Sequence, residues 1–107
     1  METYFKYRNI PTTVDGIKFH SKKEARRYQD LKLLELGKVI KNLELQPVIP
    51  LMVNGVKIGR YTGDFKYIEN GVEVIEDVKS VATKTRDYIM RKKILATYDP
   101  PIHIKEV

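Results

Sequence analysis

One stretch, Tyr61 to Lys79, limits what this chain can become more than any other. Two runs rich in β-branched and aromatic residues flank Asn70-Gly71. That dipeptide suits a two-residue type I′ hairpin turn, in which both central residues take positive φ. With Asn70 and Gly71 as the loop, Glu69 faces Val72, Tyr67 faces Val74, Phe65 faces Glu76 and Asp64 faces Asp77. By the same count Thr62 faces Lys79. Directly opposed residues point to one side of an antiparallel pair, with Cβ atoms about 4.5–5.5 Å apart. Two carboxylates so placed repel each other, and a divalent cation between them would remove the repulsion.

Period-two alternation brings in a third group. Val72, Val74 and Val78 line one face, interrupted by Glu76, while Ile75, Asp77 and Lys79 line the other. Lys79 therefore projects beside Asp77 on the face that carries Asp64. A plainer reading is a cross-strand salt-bridge cluster on an exposed sheet. Against it, acid lies opposite acid, and a third carboxylate is aimed at the same sheet.

That third carboxylate is Glu24. Ser21-Lys22-Lys23-Glu24 is a capping box opening a helix to about Leu36, with Gly37 as its stop. In it Glu24 reaches back to the Ser21 N–H. Yet Glu24, Tyr28, Leu31 and Glu35 share a narrow arc beside Leu34, the stripe that faces the sheet. A carboxylate directed there needs a partner.

The remaining chain fills in around these parts. Residues 1–13 are aromatic and basic (Tyr4, Phe5, Lys6, Tyr7, Arg8), and Val14-Asp15-Gly16-Ile17 reads as a tight hairpin anchored by Phe19. Leu43 to Val53 and Val56 to Ile68 read as two strands joined by Asn54-Gly55, with Pro47 and Pro50 marking an edge or bulges. Lys84 to about Tyr98 reads as a second helix capped by Thr83 or Thr85, and Ile102 to Ile104 as a last short strand. The order hairpin–α–β–β–β–α–β suits a single α/β domain over 1–107, residues 1–20 forming an N-terminal arm and hairpin.

Asp64 followed by Asp77-Val78-Lys79 on the next strand resembles the catalytic signature of the PD-(D/E)XK nuclease superfamily. With Asp15-Gly16-Ile17-Lys18-Phe19-His20-Ser21-Lys22-Lys23-Glu24 and Leu43-Glu44-Leu45-Gln46-Pro47, nearly the whole chain looks like its small phage and prophage nucleases. Gly63 stands where the name-giving proline would be. The resemblance implies a restriction-endonuclease-like α-β-β-β-α-β core, a central mixed sheet flanked by helices. It implies a Mg²⁺- or Mn²⁺-dependent DNA endonuclease with Glu24, Asp64, Asp77 and Lys79 as its catalytic set. Asp64, Asp77, Glu24 and the Val78 carbonyl would be ligands of the metal. The order of acids is also similar to Holliday-junction resolvases, which act as homodimers on branched DNA.

Composition agrees without deciding. A net charge of +6 over 107 residues favours an anionic partner such as nucleic acid. Lys22, Lys23, Arg27, Gln46, Lys84 and Arg86 are the candidate DNA contacts. The absence of cysteine excludes disulfides and thiolate metal sites. His20 and His103 are too few and too far apart to suggest zinc. Without a Gly-rich phosphate loop, no nucleotide cofactor is expected. No membrane span or signal peptide is evident, so a bacterial host cytoplasm is the expected setting. The alternatives are a nucleic-acid-binding module with a vestigial site and a purely structural or interaction protein.

Overall fold

The computed structural model describes residues 10–80 and 84–107. The expectations attached to Tyr4, Phe5, Lys6, Tyr7 and Arg8, and to Thr83 as a cap, lie outside these residues. The elements are β1 (Thr12–Val14), β2 (Ile17–Phe19), α1 (Lys22–Leu36), β3 (Lys41–Leu45), β4 (Val48–Val53) and β5 (Val56–Thr62). They continue with β6 (Phe65–Glu69), β7 (Val72–Asp77), α2 (Arg86–Ala96) and β8 (Ile104–Glu106). The whole is a mixed α/β fold. Strands β3-β6-β7-β8 form a four-stranded mixed sheet, with only β8 parallel to its neighbour.

Three turns of one kind close the hairpins. Asp15-Gly16, Asn54-Gly55 and Asn70-Gly71 all take positive φ at both positions, the backbone twist that matches paired strands. Across β6 and β7 the register is the expected one: Phe65 with Glu76, Tyr67 with Val74 and Glu69 with Val72.

The two long strands expected in the middle of the chain each break in two. Gln46 takes φ of 52° ahead of Pro47, so the strand expected over Leu43 to Val53 becomes β3 and β4 in different sheets. The strand expected over Val56 to Ile68 breaks at Gly63-Asp64. A Cβ on Gly63 would sit 3.0 Å from Ile75 Cγ2 and 3.4 Å from Pro47 Cγ. Only glycine passes this crossing without displacing a neighbour. Thr62 consequently pairs with Val48 rather than Lys79. The last strand also starts later than expected, at Ile104 instead of Ile102, because the Ile102 N–H bonds the Leu95 carbonyl at 3.0 Å.

Two cores result. On one side Ala25, Tyr28 and Leu31 of α1 pack with Phe19, Phe65 and Tyr67, as the helix stripe and the hairpin anchor require. On the other, Tyr88 and Leu95 of α2 pack with Leu51 and Tyr61 of the β4–β5 hairpin. Neighbouring residues in a strand point to opposite faces. Glu76 therefore enters the α1 side, and Asp77 enters the side of Tyr61 and α2. Among the described residues no helix is long and apolar enough to cross a membrane.

Candidate functional site

Glu24 is placed by the start of α1. The Ser21 hydroxyl accepts the Glu24 N–H at 3.1 Å, which is half of the expected capping box. The reciprocal bond falls one residue earlier, since Glu24 Oε1 accepts the N–H of His20 at 3.0 Å rather than that of Ser21. This leaves the carboxyl turned toward the sheet and only 7% exposed. There it faces Asp64, with which it lines one cavity. Burial, then the neighbouring Asp64, push the Glu24 pKa to about 7, against the pull of the His20 N–H.

Asp64 does not face Asp77 across a ladder, because the β6–β7 pairing ends at Phe65 and Glu76. The residue instead occupies the bend after Gly63 and is held at three atoms. Its N–H bonds the Glu76 carbonyl at 3.0 Å, and its carbonyl accepts the Gln46 N–H at 3.0 Å. Its Oδ2 accepts the Val78 N–H at 2.8 Å. Val78 thus engages the site through its N–H.

Asp77 ends β7, 3% exposed. Burial raises its pKa to about 6, while Lys79 and the Asp64 N–H draw it down. The Tyr61 hydroxyl, from β5, donates to Asp77 Oδ2. Lys79 lies beside Asp77 as alternation requires, with Nζ 4.2 Å above the Tyr88 ring. Tyr61 and Tyr88 escaped the sequence reading. Periodicity says that an aromatic residue is buried but not which carboxylate its hydroxyl reaches.

The four expected residues are brought together pairwise. Glu24, Asp64 and Gln46 line a cavity of about 190 Å³. Asp77 and Lys79 line another of about 320 Å³ with Arg60 and Arg91. Among the described residues no three His, Cys, Asp or Glu side chains form a ready metal cluster.

Several candidate DNA contacts have internal partners. Arg27, a candidate DNA contact, grips Glu76 with both arms of its fork, Nε–Oε1 at 2.8 Å and Nη2–Oε2 at 2.6 Å. The Tyr67 hydroxyl donates to the same carboxylate. Lys23 Nζ donates to the Lys79 carbonyl at 3.0 Å and so ties α1 to the end of the Asp77-Val78-Lys79 run. Lys84 pairs with Glu106 at 3.2 Å. Lys22 and Arg86 are exposed. The ring of His20 is 87% exposed, and His103 is exposed just before β8.

Glu106 anchors the α2 side. The Tyr88 hydroxyl donates to it at 2.5 Å and Lys92 at 2.9 Å. Tyr88, Lys92 and Lys84 together hold its carboxyl at about 2, below the ordinary 4.5. A carboxyl depressed on folding adds stability that is complete above about pH 4.5 and drains away as pH falls toward 2. Glu106→Gln is expected to lose about 1–2 kcal/mol at pH 7, discounted for its partial exposure. The gap from the parent should narrow in urea melts between pH 4.5 and 2. A gap independent of pH would refute the assignment.

Residues 4–104 match the family model described as "Protein of unknown function (DUF1064)". No curated protein and no solved structure matches the chain.

Proposed function

We propose that this chain, which belongs to the DUF1064 family, is a metal-dependent DNA endonuclease built on a restriction-endonuclease-like core. One observation supports this most. Glu24 from α1 pairs with Asp64 of the β5–β6 bend, Asp77 at the end of β7 pairs with Lys79, and burial keeps one acid of each pair above the ordinary carboxylate range. Catalytic groups are often tuned in this way.

The donor chemistry suits a hard divalent ion. Carboxylate oxygens favour Mg²⁺ or Mn²⁺, and Glu24 lies beside Asp64, with the His20 ring Nδ1 3.8 Å from Glu24 Oε1. Asp64 and Asp77 would hold the ion, with Glu24 and the Val78 carbonyl completing the set. Such an ion neutralises charge at a phosphoryl group and acidifies a coordinated water. Lys79 would orient the attacking water and stabilise negative charge on the phosphate. The net charge of +6, with Lys22 and Arg86 exposed, would draw in the DNA backbone. A small basic surface suits recognition of DNA shape, and symmetric cutting of a junction would need a homodimer.

A second reading, a non-catalytic nucleic-acid-binding module, draws on the absence of a ready three-donor cluster among the described residues. The two are separated by incubating labelled linear, nicked, flapped and four-way-junction DNA with Mg²⁺, Mn²⁺ or chelator. Metal-dependent cutting is expected, reduced more than about a hundredfold in Asp77→Ala and slowed in Lys79→Ala. Salt-sensitive binding without cutting of any substrate would favour the binding module. Lys79→Ala cutting as fast as the parent would remove Lys79 from the chemistry.

A further inference from the structure

We infer that Tyr61 and Tyr88 are positioning residues, one aiming the carboxylate of Asp77 and the other the ammonium of Lys79. This rests on the nuclease reading and extends it to residues outside the Asp-x-Lys pattern.

The two rings come from different elements and meet. Tyr61 lies on β5 and Tyr88 on α2, both nearly buried, with ring centroids 6.3 Å apart. Each then reaches one member of the motif. The Tyr61 hydroxyl occupies Asp77 Oδ2, which fixes the carboxyl plane and directs Oδ1 elsewhere. Carboxylate ligands are commonly oriented by such a neighbouring donor.

Lys79 presents the complementary problem. It lies two residues beyond the end of β7, and the Val107 carbonyl holds only its backbone N–H, at 3.0 Å. Its long side chain needs another constraint. Among the described residues it makes no ion pair, and its Nζ rests 4.2 Å from the Tyr88 ring centroid. A ring face attracts an ammonium without accepting all three N–H donors. The donors stay available for water and phosphate, whereas a carboxylate partner would occupy them. Lys92 also approaches the ring, at 5.5 Å, but is paired to Glu106 at 2.9 Å. The Tyr88 ring is held by its packing against Tyr61 and Leu95 in the α2 core, with its hydroxyl on Glu106.

Both tyrosines also belong to the α2 core, so the test must move something that packing alone does not. In the metal-free protein, ring currents should shift the Lys79 Hε resonances upfield of the other lysines. The shift should persist in Tyr88→Phe and vanish in Tyr88→Leu. Unshifted Lys79 resonances in the parent protein would overturn the role of Tyr88 without any variant. In cleavage assays Tyr88→Leu should lower kcat about tenfold with little change in KM, and Tyr88→Phe should restore it. In calorimetry without DNA, Tyr61→Phe should weaken Mn²⁺ binding about tenfold. Equal kcat for Tyr88→Leu and Tyr88→Phe, or unchanged Mn²⁺ affinity in Tyr61→Phe, would overturn the corresponding half. A parent protein that cuts nothing while Lys79 tracks the ring would sink the nuclease reading and leave the Lys79–Tyr88 geometry standing.

Discussion

A Glu76→Ala variant should lose about 3–5 kcal/mol of stability, a fall in melting temperature of roughly 10–25 °C. Glu76 is fully buried in the middle strand pair, opposite Phe65 on one side and Lys105 on the other, with no access to water. Its charge is tolerated because Arg27 meets it with two near-ideal bonds and Tyr67 with a third. Burial alone would raise its pKa, but Arg27 and Tyr67 outweigh it and hold the carboxyl below the ordinary range. Removing the carboxylate leaves a cavity, an unpaired Tyr67 hydroxyl and an Arg27 guanidinium whose side chain is only 23% exposed. Glu76→Gln keeps the shape and some hydrogen bonds, so it should cost less. Replacing both partners by methionine should recover much of the loss, since well-packed apolar groups often match a buried ion pair. Urea denaturation of the three variants checks the ordering; a loss below 1 kcal/mol in Glu76→Ala would refute the brace. The brace also has a functional side. It fixes α1 to β7 less than one turn beyond Glu24 and one residue before Asp77.

The same cluster shows what the sequence could and could not disclose. The Asn70-Gly71 turn determines its own pairing, so the facing of Phe65 with Glu76 followed by counting. Counting failed one residue further, at Asp64, because a tertiary crossing at Gly63 ends the ladder. No local pattern marks where one hairpin hands the chain to another, except that Pro47 and Gly63 are the residues such a crossing tolerates. Ser21 and Glu24 were legible as a cap and as an inward-facing acid because both depend on helix geometry alone. Arg27 was not, as it flanks the stripe of Glu24 and Tyr28. A signal for it existed, however: a glutamate interrupting a run of valines needs a buried cation, and α1 supplies one. Tyr61, Tyr88 and Glu106 left no comparable trace, for their contacts join β5, α2 and β8 across the fold.

Glu24→Gln should stabilise the protein while removing cleavage, and the pairing of the two effects is the informative result. In the folded chain Glu24 is buried in the first turn of α1 beside a second carboxyl, Asp64. At pH 8, above the pKa of about 7 that this environment imposes, Glu24 must carry charge in a place that opposes it. Glutamine has the same length. Its amide oxygen can still accept the His20 N–H, and its NH₂ can donate to Asp64, which turns a repulsion into a hydrogen bond. In the presence of chelator at pH 8 the variant should gain about 1–3 kcal/mol in urea melts. Added Mn²⁺ should narrow that difference, because the parent gains a counter-charge among its carboxylates and the variant has one fewer donor. Cleavage should fall more than about a hundredfold. An acid kept at a cost to stability is what a working site requires, whereas a structural carboxylate has no reason to be retained there. A variant that is less stable than the parent in chelator would make Glu24 a structural residue of the helix start. A more stable variant that still cuts would confine the chemistry to Asp64, Asp77 and Lys79.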